Sequence, residues 1–130
     1  MLFEVSSSKT LEAIDRGLRA SAAQHQFGVI EVHNLKEIMA KKGVEFNGEC
    51  LIYEVCNPHQ AKKVLEANGA VSAALPCRIS VYSKGQAYRL ATILPTAMME
   101  MFGDPALAPV AREVETVVVA MMQEAASSTA

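Results

Sequence analysis

The stretch Glu49–Ala61, ECLIYEVCNPHQA, decides how the rest of the chain is read. Leu51, Ile52, Tyr53 and Val55 are strand formers. Asn57 is a good helix N-cap, Pro58 suits the first helical position, and Gln60 stands third, as in a capping box. Ala61, Val64 and Leu65 then share one helical face, and Asn68-Gly69 predicts a left-handed stop. A strand thus runs straight into a helix N-terminus, with the Cys56 thiol at the junction and His59 in the first turn. A thiolate placed there would feel the positive end of the helix, a field that lowers a thiol pKa.

Outward from this junction, composition bounds the answer. The chain has 130 residues, 51% apolar and 20% charged, which predicts one globular domain over 1–126 and a frayed tail over 127–130. A formal net charge of −2 with no basic block argues against nucleic acid, which demands many phosphate contacts, and against an anionic membrane. The first ten residues, MLFEVSSSKT, carry no basic segment followed by an apolar core, so no signal peptide is read. No apolar run approaches the roughly 20 residues needed to span a bilayer. Three cysteines cannot all pair within one chain, and their spacing is no disulfide framework. These features predict a cytoplasmic protein with reduced thiols.

The elements follow in order. Leu2–Val5 is a short strand. Ser7 or Ser8 can cap a helix to about Gln24, with Leu11, Ile14 and Leu18 on its apolar face. Glu12 with Arg16 and Asp15 with Arg19 are spaced as outward ion pairs. Phe27–His33 is the second strand, and Leu35 to about Lys42 a short helix ended by Gly43. Val71–Leu75 is small, apolar and unassigned. Strands at Cys77–Ser83 and Ala87–Leu94 flank a Lys84-Gly85 hairpin turn. Thr96–Phe102 is helical, and Asp104-Pro105 opens a last helix to about Met122, with residues 124–130 fraying. A late hairpin among alternating strands and helices predicts an α+β fold: an antiparallel or mixed sheet with helices gathered on one face.

Strand parity sorts the polar groups. Leu51, Tyr53 and Val55 share one face; Cys50, Ile52, Glu54 and Cys56 share the other. Val29, Glu31 and His33 fall together, opposite Ile30 and Val32. Arg78, Ser80 and Tyr82 oppose Cys77, Ile79 and Val81. The predicted open face therefore carries Glu31, His33, Glu54, Arg78 and Arg89. It reads either as cross-strand ion pairs or as a pocket for an anionic or polar small ligand, with Arg78 or Arg89 as anchor and His33 and Glu54 beside it.

Four other constellations bear on chemistry. Cys56 with Cys77 as a redox pair is opposed by parity. Cys56-x-x-His59 has the spacing of thiol-redox helix starts but lacks the second cysteine. Cys50 and Cys56 lie about 20 Å apart along an extended strand, too far to share a metal with His59. Met98, Met99, Met101, Met121 and Met122 read as core or dimer packing, with a soft-metal site as the alternative. No metal and no cofactor is predicted.

The Cys56-Asn57-Pro58 junction, together with Leu75-Pro76-Cys77-Arg78-Ile79-Ser80-Val81-Tyr82, a hairpin and a strand ending at Pro95, resembles domain-of-unknown-function family 302. The similarity runs from about Phe3 to Val119. It implies a TATA-box-binding-protein-like β-α-β4-α fold: a curved antiparallel sheet with helices packed on one face, here with extra short helices, commonly a homodimer. It supplies no activity and no catalytic residues. It also implies a glycine closing the first helix, where this chain has His25-Gln26-Phe27-Gly28.

The reading is a homodimeric, non-enzymatic domain binding a small molecule or a partner protein at the open sheet face. Its candidate residues are Glu31, His33, Glu54, Cys56, Asn57, His59, Arg78 and Arg89. The alternative is a thiol-dependent protein of sulfur trafficking or redox metabolism, with Cys56 reactive and His59 as modulator.

Overall fold

The computed structural model describes residues 1–127. The chain runs β1 (Leu2–Ser7), α1 (Leu11–Gln24), β2 (Gly28–Asn34), α2 (Leu35–Lys41), β3 (Cys50–Cys56) and α3 (Pro58–Ala67). A 3-10 helix (Gly69–Ala74), β4 (Cys77–Lys84), β5 (Ala87–Ile93), α4 (Pro95–Glu100), a 3-10 turn (Pro105–Leu107) and α5 (Ala108–Ala126) follow. The strands form one open antiparallel sheet in the order β1-β5-β4-β3-β2. The fold is α+β.

Alternation in β3 sets the two faces. Leu51, Tyr53 and Val55 are buried and pair across to Val81, Ile79 and Cys77 of β4. Leu90 of β5 and Val5 of β1 extend the same apolar face. Against it lie Ile14, Leu18 and Ala22 of α1, and Val118, Met121, Met122 and Ala125 of α5. Removal of such surface from water supplies the main drive to fold, about 1.5–3 kcal/mol for each large aliphatic side chain. Tyr53 spans the layer: its ring is buried and its hydroxyl donates to Asp15 Oδ1 at 2.6 Å. Arg19 Nε holds the same carboxylate at 3.1 Å, so the expected Asp15–Arg19 pair forms. The expected Glu12–Arg16 pair does not form.

β2 departs from simple parity. Val29 pairs with Val55 and Glu31 with Glu54, so one extra residue, Ile30, is inserted between adjacent rungs. Such a bulge flips the alternation. Val29 consequently joins Val32 against the core, and Glu31 and His33 turn to the open face. The predicted grouping of Val29 with Glu31 and His33 is thereby corrected. Ile30 bears the consequence and is 61% exposed.

Several boundaries also move. β1 continues to Ser7, whose hydroxyl is buried and donates to Ala126 O at 2.8 Å; Thr10 caps α1 instead, accepting from Ala13 N–H at 3.1 Å. Asn68 is extended (φ −158°), not left-handed, and its side chain caps the 3-10 helix over the unassigned segment. The hairpin loop is Gly85-Gln86, with Gly85 at φ 64°, because Lys84 still pairs with Ala87. Asp104 caps the short 3-10 turn, and α5 proper begins at Ala108. α5 does not fray from Glu124: it continues to Ala126, with Ala125 and Ala126 buried. The expected fraying of 128–130 lies outside the described residues.

The end of α5 packs because α1 offers a glycine. A Cβ on Gly17 would sit 3.2 Å from Ala125 Cα. At the end of α1, Gln26 takes φ +64° where the resemblance implied glycine. Side chains with a Cβ pay roughly 1–2 kcal/mol for that left-handed conformation.

Two outcomes follow in chemical denaturation. Gln26→Gly should stabilise the protein by about 0.5–1 kcal/mol, since relief at φ +64° exceeds the added freedom of the unfolded chain. Gly17→Leu should destabilise it by about 1–3 kcal/mol through overpacking against Ala125.

Candidate functional site

The junction forms as its residues dictate. Asn57 Oδ1 accepts from the N–H groups of His59 at 2.9 Å and Gln60 at 3.2 Å, and Pro58 occupies the first turn. The strand above it and the helix below it hold Cys56 and Asn57 on the wall of a cavity of about 40 Å³. Cys77, Met98, Met99 and Val114 complete part of that wall, which is almost wholly apolar. Both thiols that sequence parity separated therefore border one cavity, Cys56 from a strand end and Cys77 from a strand start. Gln60 Nε2 donates to Glu113 Oε2 at 3.0 Å, which leaves Gln60 Oε1 buried without a partner among the described residues.

The electrostatics of the thiols run against activation. Burial pushes Cys56 above its ordinary value. Burial first, and the neighbouring Cys56 second, push Cys77 up to about 11. Cys50, on the open face across from Tyr82, is also raised by burial. All three thiols are free. His59 is exposed and lies outside the cavity wall.

The open face has its own arrangement. Register sets Glu31 opposite Glu54, and Glu54 opposite Arg78. Glu54 nevertheless bonds to His33 Nε2 at 2.5 Å, and Glu31 Oε1 accepts from Val32 N–H at 3.3 Å. Further across, Glu4 Oε1 accepts from the Tyr82 hydroxyl at 2.5 Å, and its Oε2 lies 3.6 Å from Arg89 Nη1. Arg89 is thus committed to Glu4. Arg78 is exposed and has neither an ion pair nor a side-chain hydrogen bond among the described residues. It borders a second pocket, of about 240 Å³, with Ala73, Leu75, Pro76, Ile93 and Met98.

The structure brings Glu31, His33 and Glu54 together at one end of the open face and puts Arg78 beside them on β4. Arg89 lies further off on β5, and the trio Cys56, Asn57 and His59 sits at the strand end. Sequence reading missed Glu4 as the shared partner of Arg89 and Tyr82; the period-two pattern of β1 was the available signal. It also missed the Ala73–Leu75 wall of the Arg78 pocket. Its small residues give no periodicity, although Pro76 marked where β4 begins. No group of three or more His, Cys, Asp or Glu is placed to hold a metal among the described residues. No helix among them is long and apolar enough to cross a membrane.

A five-stranded open antiparallel sheet with α1 and α5 on its buried face defines an α+β domain of one recognisable kind. The chain belongs to the family described as Domain of unknown function DUF302, whose model matches residues 3–125. It is similar to the crystal structure of an uncharacterized conserved protein DUF302 from Bacillus stearothermophilus, at 31% identity and a TM-score of 0.91, over 95% of this chain and 97% of that one. No curated protein matches the chain.

The raised Cys77 gives a pH test. Its folded pKa exceeds the unfolded value of 9.0, so the native state holds a proton that the unfolded chain releases. Its contribution is complete below pH 9.0 and is lost as pH climbs through about 11. In denaturant titrations across that window, Cys77→Ala should flatten the alkaline decline in stability, whatever its cost in packing. In native alkylation at neutral pH, Cys56 should react no faster than an unstructured thiol.

Proposed function

We propose that this domain binds a small anionic molecule on its open sheet face, with Arg78 as anchor, and that it works as a homodimer and not as an enzyme. One observation carries the reading. Two charged pairs on this face are closed, His33 with Glu54 and Arg89 with Glu4, and Glu31 accepts from Val32 N–H, while the Arg78 guanidinium stands without a partner among the described residues at the rim of a pocket. Guanidinium presents donors in a fork that suits a carboxylate or a phosphate. Glu54 stands across from Arg78 on β3 and is held by His33.

A partner protein, or a second copy of the chain, is favoured by a different feature of the same face. Leu2 and Ile93 face each other across β1 and β5 and are 58% and 53% exposed. These apolar groups support the homodimer in the proposal. The thiol-dependent alternative draws less support, since burial raises Cys56 where a reactive thiolate requires the opposite. Three unpaired thiols favour a reducing compartment and therefore a cytoplasmic location.

Native mass spectrometry with added inorganic phosphate or acetate tests both parts. Arg78→Ala should abolish the anion increment and keep the oligomeric state, whereas Arg89→Ala should keep the increment. Ile93→Glu should dissociate the dimer. Retention of the anion by Arg78→Ala would overturn the anchor, and a monomeric wild type at micromolar concentration would overturn the dimer.

A further inference from the structure

The two cavities share a wall. Leu75 and Met98 border both the 240 Å³ pocket at Arg78 and the 40 Å³ cavity at the Cys56 junction. On one side of that wall stands an unpaired cation. On the other the surface is apolar, contributed by Ala61, Val64, Val110 and Val114 among others. A charged head and an apolar tail require such a pair of environments side by side.

We propose that the two cavities act as one amphipathic site for a short-chain aliphatic carboxylate, its head on Arg78 and its tail passing Met98 into the Ala61–Val64 slot. This rests on the anionic reading of Arg78 given above. Arginine binds a carboxylate through two parallel hydrogen bonds. Among the described residues Arg78 is the one cation on the pocket wall, which suits a single negative charge better than a polyanion. The tail is apolar, because the slot wall is almost wholly apolar and, away from Gln60 Oε1, a polar group there would lose its water without gaining a partner. It must also be short, because the slot holds only about 40 Å³. Met98 is unbranched and half-buried, and a methionine side chain re-packs readily, so it can part the shared wall by changing rotamer. The slot stays uncharged at neutral pH, as burial holds the Cys56 and Cys77 thiols protonated.

Calorimetric titration with acetate, butyrate, hexanoate and octanoate at constant ionic strength tests this. Affinity should rise about fourfold for each methylene that enters the slot, then level off once it is full. Arg78→Ala should weaken every acid that binds by about tenfold or more. Ala61→Phe should erase the gain of hexanoate over butyrate and leave acetate unchanged. Met98→Ala should move the plateau to longer chains; if Ala61→Phe fails to fold, this variant alone decides. A flat series that still depends on Arg78 would overturn the amphipathic site and leave the anion anchor standing. A chain-length gain blind to both Ala61→Phe and Met98→Ala would put the tail elsewhere and overturn it too. Silence of every acid, with phosphate also unbound, would overturn the anchor itself.

Discussion

Everything on the open face depends on which side chains β3 turns inward. Leu51, Tyr53 and Val55 fill the core, so Ile52 and Glu54 must face away from it. The neighbouring strand has to obey the same choice. β2 carries valines at 29 and 32, an odd spacing that no regular strand can turn to one side. The bulge at Ile30 resolves the conflict, and the cost is one exposed isoleucine. Without it, either Val29 or the Glu31–His33 set would face the wrong way. Core packing thus dictates where the polar groups of the sheet stand.

At the junction two effects compete for Cys56, and their sizes decide the outcome. The positive end of a helix favours a nearby anion by about 0.3–1 kcal/mol at exposed positions. Burial works in the other direction. For Cys77, a rise from 9.0 to about 11 corresponds to about 2–3 kcal/mol against the thiolate. Cys56 is less enclosed, yet its shift has the same sign. A sequence shows that a thiol precedes a helix; it does not show how much of that thiol water reaches. Burial is the quantity on which the inference from helix to reactive thiol depends.

Legibility followed the range of the interactions. The Asn57 cap, the strand character of β3 and the late hairpin depend on neighbours in sequence, and they could be read directly. The α+β class followed from their order. What could not be read depended on contacts across the chain. Ser7 looks like a helix cap, but Ala126, 119 positions away, takes its hydroxyl. The run from Glu124 looks like a frayed end, but Gly17 lets α5 close onto α1. Arg89 and Arg78 look equivalent by parity, and only the presence of Glu4 on the adjoining strand separates them. The bulge in β2 is an intermediate case: the valine spacing was visible, but its meaning required knowing that both valines reach the core.

The strand order carries a consequence for how the molecule assembles. β1 is the earliest of the five strands in sequence, yet its partner in the sheet is β5, some ninety positions later. The closing contacts of its end come later still, from the carbonyls of Ala125 and Ala126 to Lys9 and Ser7. A growing chain can therefore pair β2, β3 and β4 while β1 waits without a neighbour. Such non-local pairing slows folding, and it leaves an apolar strand edge available to other chains in the meantime. In this fold the earliest of the five strands in sequence can pair only once the last of them has been made.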